Sequence, residues 1–242
     1  MADIELTAAD GHTFTAYRAD PDRPSIGGVV VIQEIFGVNA HIRSVVDRYA
    51  AAGFVAVAPA LFDRVERGVE LGYDAEGGKR GQKLAWQRDS IPDAIVDLAA
   101  TIDALTTELG APATVGVVGY CYGGMLACAA SSRIPENIGA AVAYYPSRAA
   151  ALLVDDVPAT PLLLHLGDQD QGVTIADGLT LADRWPTAEV HRYEHAQHGF
   201  NCDLRPSFDP EASALAWERT LEFFDEHLDH PVHPGDHDHP EV

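Results

Sequence analysis

The sequence predicts an α/β fold built on a mostly parallel, doubly wound sheet. Three observations carry that expectation. The runs "GGVVVIQEIFG", "GFVAVAPALF" and "ATVGVVGY" are continuously apolar and rich in β-branched residues, as strands buried on both faces should be. Segments with helical spacing of apolar residues separate them. At 242 residues, 47% hydrophobic and 22% charged, the chain can bury one large core, and no repeat of roughly 20 to 50 residues divides it.

Taken in order, "IELTAADGHTFTAYRAD" alternates around Asp10-Gly11 and predicts an N-terminal β-hairpin. The strand ending in Gln33-Glu34 follows, then a helix over residues 40–52 and the strand "GFVAVAPALF". Residues 63–82 are rich in glycine and charge without clear periodicity, so a long excursion is expected there. "DSIPDAIVDLAATIDALTTEL" has helical spacing, with Asp89 and Ser90 as cap candidates. "ATVGVVGY" is a strand entering a turn at Cys121, with a helix from Gly123 to about Ser132. "IGAAVAYYP" and "TPLLLHLG" are strands, "VTIADGLTLADRW" a helix, "AEVHRYEH" a strand, and "PEASALAWERTLEFFDEHL" the closing helix. One domain over residues 1–228 is expected. The segment 229–242, polar, proline-rich and holding four of the eleven histidines, is expected to be a disordered tail.

With 37 acidic and 16 basic residues the formal net charge is −21. That balance argues against binding nucleic acid or anionic membranes and reads as a solvated acidic surface. The N-terminus lacks the basic and apolar regions of a signal peptide, and no apolar run reaches the roughly 18 residues of a membrane span. Cys121, Cys128 and Cys202 are odd in number and at no metal-ligand spacing. A reducing cytoplasm is the expected address, with no disulfide framework.

Chemistry enters at "GYCYGG". A strand turning sharply into a helix through Gly-x-Nuc-x-Gly is the nucleophile elbow of α/β-hydrolases. Glycine is needed where strand and helix nearly touch, here Gly119 and Gly123. The tip residue then stands at a helix N-terminus, whose free N–H groups and partial positive charge favour a thiolate and an oxyanion. Serine is the usual occupant; this chain has Cys121. An inert buried thiol is the competing reading, and Cys128, among alanines, fits that reading.

A nucleophilic thiol needs a base, and the base an orienting carboxylate, in the order nucleophile, acid, histidine. After "PLLLHLG" both Asp168 and Asp170 stand at the strand's C-terminal edge, and Asp170 has the better spacing between Gly167 and Val173. Of His191, His195 and His198, the first two flank a strand and His198 sits in the turn "QHGF" beyond it. His165, inside an apolar strand, reads as a core histidine. Glu34 closes a buried strand, where an ionised carboxylate is costly. It is expected either in a salt bridge with Arg43 or Arg80, or beside the thiol. The backbone N–H groups of Ile35 and Tyr122 are the natural oxyanion donors.

Together "QEIFG", "GYCYGGMLA", "GDQDQGV" and "HGFNCD" resemble the dienelactone hydrolase family, carboxymethylenebutenolidases of the α/β-hydrolase superfamily, over residues 5 to 228. The resemblance implies that Cys121 is the nucleophile, His198 the base and Asp170 the orienting acid. Glu34 matches a glutamate that responds to substrate and helps deprotonate the thiol. Lactone opening through a thioester, by a monomer with no metal or organic cofactor, is what it implies. The family grips an anionic substrate with two arginines. Arg80 is the nearest match to the first; the second position is Cys202 here, with Arg205 three residues on. The family's tyrosine pair is Tyr144-Tyr145, followed by Pro146 where glycine is expected, so Tyr144, Phe36 and Trp86 are candidate substrate contacts along with Tyr122. Two other functions remain open: a general carboxylesterase or thioesterase indifferent to anions, and a binding protein with Cys121 as a redox-sensitive thiol.

Overall fold

A computed structural model describes residues 1–87 and 90–229. The expected cap Asp89 and nearly all of the expected tail lie outside the described residues, and Ser90, the other cap candidate, is the first residue of a helix. Eight strands form one sheet in the order β1-β2-β4-β3-β5-β6-β7-β8: β1 (Ala2–Thr7), β2 (Thr13–Ala19), β3 (Gly27–Ile32), β4 (Phe54–Pro59), β5 (Val115–Tyr120), β6 (Ile138–Tyr144), β7 (Leu162–Gly167) and β8 (Glu189–Tyr193). β1 and β2 are the antiparallel hairpin at one edge, and from β4 to β8 every pairing is parallel. Strands β3, β4, β5 and β7 are buried at every position, and β6 at all but one. Their unbroken apolar runs follow from helices covering both faces.

Those helices are α1 (Ala40–Ala52), α2 (Ala75–Ala85), α3 (Ser90–Leu109), α4 (Tyr122–Arg133), α5 (Ala149–Leu152), α6 (Ile175–Arg184) and α7 (Pro210–His227). Asn39 caps α1, Thr174 forms a capping box with Asp177 on α6, and Asp209 followed by Pro210 starts α7. Each satisfies backbone N–H groups that the first helical turn leaves open. No described helix is long and apolar enough to cross a membrane.

The expected excursion over residues 63–82 is corrected. A short 3-10 turn spans Leu61–Arg64, and α2 occupies its second half, capped by Asp74. Three glycines in "AEGGKRGQKLA" hide the helix from propensity. Tertiary packing overrides them, because Gly81 lies where a β-carbon would meet the Ile35 carbonyl oxygen at 2.1 Å.

Candidate active site

The C-terminal edge of the sheet gathers the chemistry, as open α/β sheets do. Cys121, between β5 and α4, has φ 56° and ψ −110°, a strained conformation for a residue with a β-carbon. Its backbone is clamped: its N–H donates to the Tyr144 carbonyl at 3.0 Å, and its carbonyl accepts from the Ser147 N–H at 3.0 Å. A β-carbon on Gly119 would lie 1.9 Å from the Gly123 carbonyl oxygen, and one on Gly123 would lie 2.4 Å from that of Ile32. Both glycines are therefore required, and the start of α4 abuts the end of β3. Ile35 and Tyr122, the expected oxyanion donors, stand on these two adjoining segments.

The Cys121 Sγ lies 3.2 Å from Nε2 of His198, and Nδ1 of His198 lies 2.8 Å from Oδ2 of Asp170. Asp170 is held by its other oxygen, which accepts from the N–H groups of Gly172 and Val173 at 2.6 and 2.8 Å. Asp168 instead pairs with Arg192 at 2.8 Å, while His191 binds Glu189. His165 is a satisfied core residue between Tyr193 and Thr220. Burial works against a charged His198, but Cys121 and the Asp170 carboxylate outweigh it and raise its pKa to about 10.

Glu34 is fully buried, and its ion-pair partner is neither Arg43 nor Arg80. Arg205 donates to its Oε1 at 3.1 Å and the Tyr73 hydroxyl to its Oε2 at 3.0 Å. Phe36 packs into this group, its ring centroid 4.5 Å from that of Tyr73 and 5.9 Å from the Arg205 guanidinium. Arg80 is drawn off to Glu66, both half-exposed. Tyr144, expected as a substrate contact, is a core residue: fully buried, its hydroxyl is 2.8 Å from Thr220 Oγ1. Tyr145 is the member of the pair that meets the site, its ring edge-on to His198 at 5.0 Å. Trp86 stands against Tyr122 at 5.3 Å, under the exposed Arg148 guanidinium at 4.3 Å.

Sequence reasoning missed Ser147, whose Oγ is 3.2 Å from Cys121 Sγ, as well as Tyr73 and Arg148. Only the positions of the loops after β6 and before α2 could have pointed to them.

Fold and site together define an α/β-hydrolase. The chain belongs to the dienelactone hydrolase family, whose sequence model matches residues 14–228, and it is a hydrolase of ester or lactone bonds. It is 37% identical over 213 residues to the "putative carboxymethylenebutenolidase" of Synechocystis sp., covering 83% of this chain and 86% of that one. It is 33% identical over 225 residues to the carboxymethylenebutenolidase of Pseudomonas putida, covering 91% and 94%. Among solved structures, a "putative dienelactone hydrolase" from Klebsiella pneumoniae superposes with a TM-score of 0.78 at 27% identity, over 94% of this chain and all of that one.

Proposed function

We propose that the protein opens lactones or small carboxylic esters through a thioester on Cys121. The observation that carries this reading is the continuous contact from Sγ through the His198 ring to Asp170. In the first half-reaction the sulfur attacks the carbonyl carbon and the oxyanion is met by the N–H groups of Ile35 and Tyr122. The imidazolium of His198 then gives its proton to the departing ring or ester oxygen. In the second half-reaction His198 takes a proton from water, hydroxide adds to the thioester, and the thiolate departs with the open acid released.

The Glu34–Arg205 pair supports a substrate-gated variant of this cycle. A carboxylate on the substrate competes for the Arg205 guanidinium and frees Glu34 to draw the thiol proton. Small anionic lactones are then the preferred substrates. The reading extends to one domain over residues 1–228, acting as a monomer, and to a cytoplasmic address, which three unpaired cysteines favour.

A second reading, a general esterase or thioesterase, is favoured by Cys202 at the family's second arginine position and by the engagement of Arg80 with Glu66. The two readings separate in a paired assay of a dienelactone against a neutral aryl ester of similar size. The parent and the Cys121→Ala, Arg80→Ala, Arg148→Ala and Arg205→Ala variants would be compared. A dienelactone preference that an arginine variant removes supports the first reading. A neutral-ester preference that only Cys121→Ala abolishes supports the second. Full activity in Cys121→Ala contradicts both.

A further inference from the structure

Beyond the thiol, a cluster of chemically capable side chains among the described residues is left without a task. His41 lies in the first turn of α1, and Cys202 and Asp203 lie in the loop after His198. One ring nitrogen of His41, the Sγ of Cys202 and a carboxylate oxygen of Asp203 all lie within 4.8 Å of one another. Tetrahedral zinc holds such ligands at about 2.0–2.3 Å, with roughly 3.3–3.8 Å between them, so a contraction of about an ångström closes the set. His41 and Asp203 are already in contact. The His41 side chain is 2% exposed, its Nδ1 is 3.0 Å from Asp203 Oδ1, and its buried Nε2 has no hydrogen-bond partner among the described residues. The Asp203 side chain is 60% exposed, which gives a cation a way in, beside a cavity of about 350 Å³ lined by His41, Ser44, Asn201 and Asp203.

We propose that His41, Cys202 and Asp203 form a second site, which takes a borderline transition-metal dication of the Zn²⁺ class and reports its occupancy to Glu34. The mixed nitrogen, sulfur and oxygen donors suit that class better than Mg²⁺ or Ca²⁺. Binding converts the Cys202 thiol to a metal-bound thiolate and releases one proton to solvent, with no change of oxidation state. The link to Glu34 is short. The His41 ring stands edge-on to the Tyr73 ring, with centroids 6.5 Å apart, and the Tyr73 hydroxyl donates to Glu34 Oε2 at 3.0 Å. A dication held one ring away from Tyr73 favours the ionised form of Glu34, which then draws the thiol proton less readily. The link, unlike the binding, rests on the role proposed above for Glu34.

The test is a Co²⁺ titration of the full chain carrying Cys121→Ser, so that the active-site thiol contributes nothing. The readout is the near-ultraviolet thiolate-to-cobalt charge-transfer band, which the thiol-free histidines of residues 230–242 cannot produce. One equivalent should saturate the band. Adding Cys202→Ser should abolish it, and Asp203→Ala, at an exposed position that spares the fold, should weaken binding at least about tenfold. No band, or a band unaffected by both variants, overturns the site. In the chain with Cys121 intact, Zn²⁺ should slow ester hydrolysis at least about tenfold more than it slows the Cys202→Ser variant. Equal inhibition of the two overturns the link to Glu34. Failure of the hydrolase reading itself would show separately, as metal-free turnover surviving Cys121→Ala.

Discussion

Replacing Arg205 with alanine removes the cation that Glu34 faces inside the site. Glu34 is fully buried, and its two oxygens have Arg205 at 3.1 Å and the Tyr73 hydroxyl at 3.0 Å. After the substitution a carboxylate remains out of water with one neutral donor. Breaking a buried pair by removing one partner costs about 3–5 kcal/mol. The Arg205 side chain is 21% exposed, so water reaches the vacated space and the lower end, about 3 kcal/mol, is expected. For a chain of this size that lowers the melting temperature by about 6–12 °C. Calorimetry or urea titration at neutral pH measures it. Adding Glu34→Gln to the Arg205→Ala chain removes the stranded charge and should recover more than half of the loss. A loss below about 1 kcal/mol, as for an exposed pair, or no recovery with Glu34→Gln, would refute the reasoning.

Cys121→Ser should lower kcat/KM at least about a hundredfold, because His198 and Glu34 then face a hydroxyl much harder to ionise; parent-like turnover with an aryl ester would count against a thiolate mechanism. Ser147→Ala removes the hydroxyl 3.2 Å from Sγ and should slow iodoacetamide alkylation of Cys121 about tenfold at neutral pH, the worth of one hydrogen bond to a charged acceptor. An unchanged rate would leave Ser147 as packing. The raised pKa of His198 sets a stability window. The imidazolium's contribution is complete below its unfolded value near 6.5 and is lost as pH rises through about 10. Asp170→Asn weakens that contribution, so the stability gap between parent and variant should be widest near pH 6 and narrow towards pH 10. A gap that widens with pH would reverse the assignment of charge.

The strands could be read from the sequence because a parallel sheet covered on both faces demands unbroken apolar runs, and β3, β5 and β7 have them. Cys121, Asp170 and His198 were legible for a related reason. Each stands within five residues of a strand end, so position along the chain nearly fixes position in space. Glu34 was visible as a costly carboxylate, yet its partner was not. Arg205 is 171 residues away and reaches it across the sheet edge, a contact that no local pattern encodes. The tyrosine pair shows the same limit at finer scale. Tyr144 ends β6 and packs into the core, whereas Tyr145 stands in the turn beyond it, with φ 39°, and meets His198. Helix α2 stayed hidden because Gly77 and Gly81 serve close approaches to the Gly72 and Ile35 carbonyls rather than the helix.

The most direct test of the account is to catch the covalent intermediate. A small activated ester would be mixed with the parent chain, quenched in acid within milliseconds, and the chain digested for mass spectrometry. The account predicts an acyl group on the peptide that contains Cys121, labile to hydroxylamine, and absent from the Cys121→Ala chain. An acyl group on another residue, or undiminished turnover in Cys121→Ala, would contradict it.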